Sequence, residues 1–344
     1  MHDLLDQLSN AANRIRMIED DRKKLGDIIK EMKDKIRFDC TEVAENTLTA
    51  KVESKKLDGI KVIGIDGGLS QHAYHGMDMI LTRAIATIFD YSEGKLDKVD
   101  YYPSAVESPK LTIITDPYDD SDFNKSSSLE RQKTEIALAL EAFNRFSPDV
   151  LMLDGSIVPH INDRPGKESA AAGKYESVLK IFDDLYKAAD GKLAGCVEDS
   201  RGRRFCEIMK KKIEDPELKR ILSGTRDTNL LYHILDTGER TCVFKMNTEL
   251  SNVYSFYIKT ADHDRPVRID FYAKDGVIEA ANKIASIVLA TSCHHTYGIP
   301  TPIIEADCRA KLKEHDVDSL HDQLVDRVGI TPGLMKLRRE QRPL

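Results

Sequence analysis

The chain has 344 residues, of which 41% are apolar and 32% charged, with a formal net charge of −7 at pH 7. That length suits one large domain with extensions, or two domains, and the balance of apolar and charged residues excludes a wholly disordered polypeptide. No apolar run approaches the roughly 18 residues of a membrane-spanning helix, and "MHDLLDQLSN" lacks the basic-then-apolar layout of a signal peptide, so the expected compartment is the cytoplasm, with no membrane partner.

Residues 1–37 read as one long helix. Met1, Leu8, Ile15, Ile29 and Ile36 fall at heptad position a and Leu4, Ala11, Ile18, Leu25 and Met32 at d, with Arg22 breaking the seam. Such a seam serves dimerisation or partner docking, or packs the helix on its own domain, and the residues leave these open. From residue 60 the period becomes that of strands: "IKVIGIDGG", "MILTRAIATIFDY", "KVDYYPSAV" and "KLTIITD". Helical spacing follows over 127–146, with Leu129, Ile136, Leu140 and Phe143 on one face, Ser127 as the expected N-cap and Glu130 as its capping-box partner. A buried strand "VLMLDGS", a loop rich in Pro, Gly and Asn, a helix over about 170–189 and the strand "KLAGCVEDS" come next. A basic helical stretch (203–222) leads to strand candidates "CVFKMN", "VYSFYIKT" and "VRIDFYA", a helix over 276–292, and "YGIPTPIIEADCRAKL" entering a last helix. Strands in a meander, then alternation of helix and strand, predict an α/β fold with a mixed sheet flanked by helices.

Two strands in this reading end in Asp-Gly, at Asp66 and Asp154. Asp-Gly is a common turn dipeptide, but both copies follow four or five apolar residues. A carboxylate at the end of a buried strand is presented at the sheet edge where α/β folds place their chemistry, and glycine admits a ligand or a second backbone. Two such carboxylates side by side repel unless a cation lies between them. The helix before Asp154 offers Glu130, Glu135 and Glu141; Glu130 is accounted for by the capping box, so Glu135, beside the apolar face, is the expected third ligand with Glu130 in reserve. Asp, Glu and Asp in this order of elements is the arrangement of ribonuclease H-like nucleases, in which Mg²⁺ or Mn²⁺ suits an oxygen-only site.

"IGIDGG", "ERQKTEIALALEAF" leading into "DVLMLDGS", "LAGCVEDSRGRRF" and "YGIPTPIIEADCRA", in that order, resemble the NurA nuclease family over roughly residues 55–325. The resemblance implies a ribonuclease H-like (Piwi-like) core, with 1–54 a helical extension, 55–325 the nuclease domain and 326–344 a basic tail. It implies Mn²⁺-dependent (or Mg²⁺-dependent) cleavage of single- and double-stranded DNA with 5′ to 3′ polarity, a homodimer, and work with the HerA translocase in end resection during archaeal double-strand-break repair. Carried residue by residue, it points to Asp66, Glu135, Asp154 and Asp307 as catalytic metal ligands. Ile299 stands where a Tyr is frequent, passing any phenolic role to Tyr297, and Asp307 stands where some members have a His. Arg201, Arg203 and Arg204 follow the middle motif as candidate DNA-backbone contacts.

Two other readings remain open on the residues alone. "IGIDGGLS" also resembles the first phosphate loop of actin-like ATPases and sugar kinases, although Gly67-Gly68 is the only Gly-Gly pair and no later adenosine motif follows. A catalytically silent adaptor of a DNA translocase, docked through the N-terminal helix, is the other. The six cysteines are scattered without a CxxC pair, and His294 and His295 lack a second Cys/His pair at fitting spacing, so neither zinc nor a disulfide framework is expected. His72 and His75 are read as part of a hairpin loop.

Overall fold

The N-terminal periodicity forms a helix, α1 (His2–Glu31), which ends before the expected residue 37 and leaves Met32 and Ile36 beyond it, in a computed structural model that describes residues 2–338 apart from 167 and 249. The basic tail "KLRREQR" therefore lies in part outside the described residues. The chain divides into two units, one of residues 1–56 and 196–300, the other of 57–195 and 301 onward.

In the first unit the heptad seam of α1 is split between two environments. Leu25 and Ile29 are buried in a core with Phe205, Leu230, Leu231 and Ile234, whereas Leu4, Leu8, Ile15 and Ile18 stay exposed. Gly26 permits the packing, since a Cβ there would lie 2.5 Å from the Cβ of His233. The end of the helix thus uses its seam in cis. After α1 comes the short strand β1 (Thr49–Lys51).

The second unit holds β2 (Ile60–Ala73), β3 (Asp78–Ser92), β4 (Lys95–Tyr102), β5 (Lys110–Ile114), α2 (Asp120–Phe146), β6 (Val150–Asp154) and α3 (Ala172–Ala188), and the chain leaves it within β7 (Leu193–Val197). Its strands run in the order β7-β6-β2-β3-β4, with β5 on β3. β2 pairs antiparallel with β3 along its whole length and parallel with β6 from Val62↔Val150 to Ile65↔Leu153.

In this unit two boundaries also differ from the sequence reading. The strand through "IGIDGG" does not end at Asp66; it continues through Gly67 and Gly68 to Ala73. What ends there is its parallel partner, because β6 stops pairing at Leu153 and Gly155 turns the chain away at φ +99°. The glycines therefore do not form a phosphate-cradling turn. The helix α2 also begins earlier than 127, capped by Asp119, whose side chain accepts from the Asp122 amide. "DPYDDSD" supplies this cap upstream, so Ser127 is buried inside the helix and Glu130 pairs with Lys110 at 2.9 Å and Lys174 at 3.7 Å.

Back in the first unit, Pro216 divides the basic stretch into α4 (Arg204–Lys212) and α5 (Pro216–Gly224), with Asp215 as the cap of α5. α6 (Asp227–Ile234), β8 (Glu239–Thr241), β9 (Phe244–Lys245), β10 (Val253–Lys259), β11 (Val267–Tyr272) and α7 (Val277–Thr291) complete it, with strands ordered β1-β8-β10-β11 and β9 on β10. The second unit closes with α8 (Thr301–Ala310) and α9 (Glu314–Val328). No described helix is long and apolar enough to cross a membrane.

α8 lies against β2 because the face it covers has no side chain at Gly64 or Gly68. A Cβ at Gly64 would meet the Pro302 carbonyl at 2.2 Å, and one at Gly68 the Ala310 carbonyl at 1.9 Å. Thr87 Oγ1 donates to the Pro302 carbonyl (2.7 Å), while Arg83 donates to the carbonyls of Ala310 (3.3 Å) and Lys311 (2.6 Å). Both ends of α8 are thereby held by β3. Gly68→Ala is expected to lower stability by about 1–3 kcal/mol, because the obstacle is backbone and α8 must shift as a body. A urea-unfolding midpoint equal to that of the unaltered protein would contradict this.

Candidate metal centre

Asp66 lies on β2 beyond the last parallel pair, Ile65↔Leu153, and Asp154 is the next residue on β6. The register itself makes them neighbours. Alternation along β2 puts Asp66 on the same face as Gly64 and Gly68, the face that α8 covers, and α8 brings Asp307 down between its two anchored ends. One carboxylate oxygen each from Asp66, Asp154 and Asp307 lies within 4.8 Å of the others. Asp66 is buried, Asp154 half-buried and Asp307 exposed, so the cluster has a solvent side.

Glu135 approaches from α2 on the other face of β2. A Cβ on Gly67 would lie 2.9 Å from Glu135 Oε2 and 3.0 Å from Glu135 Cβ. The missing side chain at 67 is therefore what leaves room for this carboxylate, which is itself buried. Glu130, held by its two lysines, is spoken for elsewhere.

The electrostatics follow from burial. Desolvation pushes the Asp66 carboxyl above its ordinary range and the nearby Asp307 adds to this, while the Gly67 backbone and Arg131 oppose it. Glu135 is pushed up to about 8, again chiefly by burial, with Asp66 and Asp154 adding and Arg131 opposing. Arg131 Nη1 donates to Glu135 Oε2 (2.9 Å) and to the Gly67 carbonyl (3.3 Å). Asp66, Asp154 and Asp307 thus converge without Glu135 in their group, and Arg131 acts on Asp66 and Glu135, so the three converging carboxylates form a site that a divalent cation would stabilise. Hard oxygen donors at this spacing, open to solvent through Asp307, fit Mn²⁺ or Mg²⁺.

The remaining candidates belong to the other unit. Tyr297 donates its hydroxyl to Glu198 Oε2 (2.9 Å). Arg203 donates to the carbonyls of Ser223 and Thr225, and Arg204 to Glu42 (3.0 Å). Arg201 is exposed, and its carbonyl accepts from Arg226 (2.8 Å). His294 and His295 form an exposed stacked pair, and neither joins a metal-ligand group among the described residues. Sequence reasoning passed over Arg131, Arg83, Gly64 and Thr87. Only Arg131 had a local signal, its i, i+4 spacing to Glu135.

The description "NurA domain" attaches to the family model that matches residues 60–312. Among solved structures, the NurA nuclease from Sulfolobus solfataricus aligns with a TM-score of 0.62 at 16% identity, covering 95% of this chain and 97% of that one. A NurA bound to dAMP and manganese aligns with a TM-score of 0.54 at 9% identity, covering 95% and 98%. At these identities the likeness is one of fold. No curated protein matches the chain.

Proposed function

Since the chain belongs to the NurA family, we propose that it is a DNA nuclease in which Asp66, Asp154 and Asp307, with Glu135, hold Mn²⁺ or Mg²⁺ and hydrolyse phosphodiester bonds. The observation that carries this reading is the convergence of three carboxylate oxygens within 4.8 Å where β2 and β6 part. The similar NurA that contains dAMP and manganese supports the choice of metal and of a nucleotide substrate.

When bound, the cation supplies Lewis acidity toward the phosphate and a water acidic enough to attack near neutral pH. The chain's own residues prepare for it. Asp66, buried, would be the fixed ligand and Asp307, exposed on α8, would close the solvent side, while Arg131 Nη1 bonds both Glu135 Oε2 and the Gly67 carbonyl. Burial of Asp66 and Glu135 raises the cost of their charge without a cation and so increases the gain when one binds. In the other unit, Arg201, which is exposed, is the foremost of the three arginines as a DNA contact, since Arg203 and Arg204 already spend their guanidinium groups on Ser223, Thr225 and Glu42, and Tyr297 is a further candidate.

The finer reading is 5′ to 3′ exonuclease and single-strand endonuclease activity, exerted as a homodimer in the cytoplasm with a HerA translocase during end resection. The exposed apolar residues of α1, Leu4, Leu8, Ile15 and Ile18, are the surface that suits such a partner. The test is degradation of 5′-labelled and 3′-labelled oligonucleotides with Mn²⁺, Mg²⁺ or EDTA. Metal-dependent loss of the 5′ label as mononucleotide is expected. Intact substrate with folded protein and either metal, with and without HerA, would end the nuclease reading.

A further inference from the structure

Arg131 is more than a surface partner of a helical neighbour. Its carboxylate partner is buried while its own side chain is 31% exposed, and the same Nη1 also bonds the Gly67 carbonyl of β2. The guanidinium is therefore tied to the helix that carries Glu135, α2, and to the strand that carries Asp66, β2. Among the described residues it is the cationic group that acts on Asp66 as well as on Glu135. Only Nη1 is engaged in the hydrogen bonds found among those residues.

We propose that Arg131 is the resident counter-charge of the centre: it competes with the incoming cation for Glu135 and thereby sets how tightly the site holds metal. This rests on the reading of Asp66, Asp154, Asp307 and Glu135 as a metal centre. A carboxylate oxygen held at 2.9 Å by a guanidinium donates less to a metal ion, and a positive charge beside the cluster repels the ion directly. The protein gains by this arrangement. Without Arg131, Glu135 and Asp66 would lose the cation that acts on both of them, and the metal-free centre would be less stable. With it, the metal-free site is tolerable and the cation remains exchangeable.

A merely structural Arg131 predicts the opposite sign. If it served only to steady α2, its removal would loosen Glu135 and weaken metal binding. If it competes, Arg131→Met strengthens metal binding. The experiment is a calorimetric Mn²⁺ titration of the full chain, unaltered and as R131M, R131K and D66N, with melting curves in EDTA and in saturating Mn²⁺ to establish folding. R131M is expected to bind Mn²⁺ roughly tenfold more tightly, the equivalent of one charge-assisted hydrogen bond no longer in competition, and to melt lower than the unaltered protein only in EDTA. R131K is expected to bind about two- to threefold more tightly, because an ammonium keeps the charge but lacks the planar fork. It carries the test if R131M does not fold. Unchanged or weaker Mn²⁺ binding in the folded arginine variants, with binding lost in D66N, would overturn the proposal. Mn²⁺ binding unaffected by D66N would instead show that the acidic cluster is not the metal centre.

Discussion

Asp66→Asn is expected to abolish metal-dependent cleavage, a loss of about a thousandfold or more, equivalent to about 4 kcal/mol of transition-state stabilisation, while leaving the fold intact. Asparagine matches the shape of aspartate, so the contacts of β2 with β6 and α8 survive. What disappears is the buried negative charge at the point where the oxygens of Asp154 and Asp307 converge. The same change relieves a like-charge contact, since Asp307 is among the groups that push the Asp66 carboxyl up. The metal-free variant is therefore expected to melt higher than the unaltered protein at pH 8, and Mn²⁺ is expected to raise its melting point less. Loss of activity together with a gain in metal-free stability separates a functional charge from a structural one, because a structural carboxylate would lose both. Asp154→Asn is expected to follow the same pattern. Undiminished cleavage in either variant would remove these residues from the chemistry.

Without metal, stability is expected to fall as pH rises from about 4.5 to about 8. Glu135 in the folded protein keeps its proton up to about 8, whereas in the unfolded chain it releases it near 4.3. Between those values the native state holds more protons than the unfolded one, so deprotonation costs the native state, by up to about 4 kcal/mol in total. Asp66, raised in the same direction by burial, adds to the slope at its acid end. Saturating Mn²⁺ opposes the loss, since a cation at a hundredfold its dissociation constant contributes about 2.7 kcal/mol. Melting temperatures across pH 5 to 8.5, in EDTA and in Mn²⁺, are the measurement. A metal-free stability that is flat or rising across this window would show that Glu135 is ionised in the native state and that burial does not govern the centre.

Much of the architecture is legible locally. The 3.6-residue and two-residue periods locate α1, α3, α7, β3, β5, β10 and β11 close to where they lie, because those elements bury one face or both and their residues repeat accordingly. Errors fall where a local signal has two uses. Asp66-Gly67-Gly68 reads as a strand end because glycine and Asp-Gly usually mark turns; in the structure β2 runs on, and the glycines make way for α8 and Glu135 instead. Ser127 and Glu130 match a capping box by spacing, yet Asp119 caps the helix first, and Glu130 turns to Lys110 and Lys174.

By itself the sequence determined which residues could carry chemistry: carboxylates at Asp66 and Asp154 behind apolar strands and Glu135 on the intervening helix, with Asp307 after "YGIPTPIIEA" added by the family resemblance. Period and side-chain type are properties of neighbours along the chain, and these were enough to place Asp66, Glu135 and Asp154 on their elements. Only the tertiary structure decided which of them meet. The parallel register of β2 and β6, the passage of α8 over Gly64 and Gly68 and the pinning of its ends by Thr87 and Arg83 join residues far apart in the chain, Gly68 and Ala310 among them. The reason is steric. A close approach depends on the atoms absent from one segment and present on another, and no stretch of sequence read alone contains both.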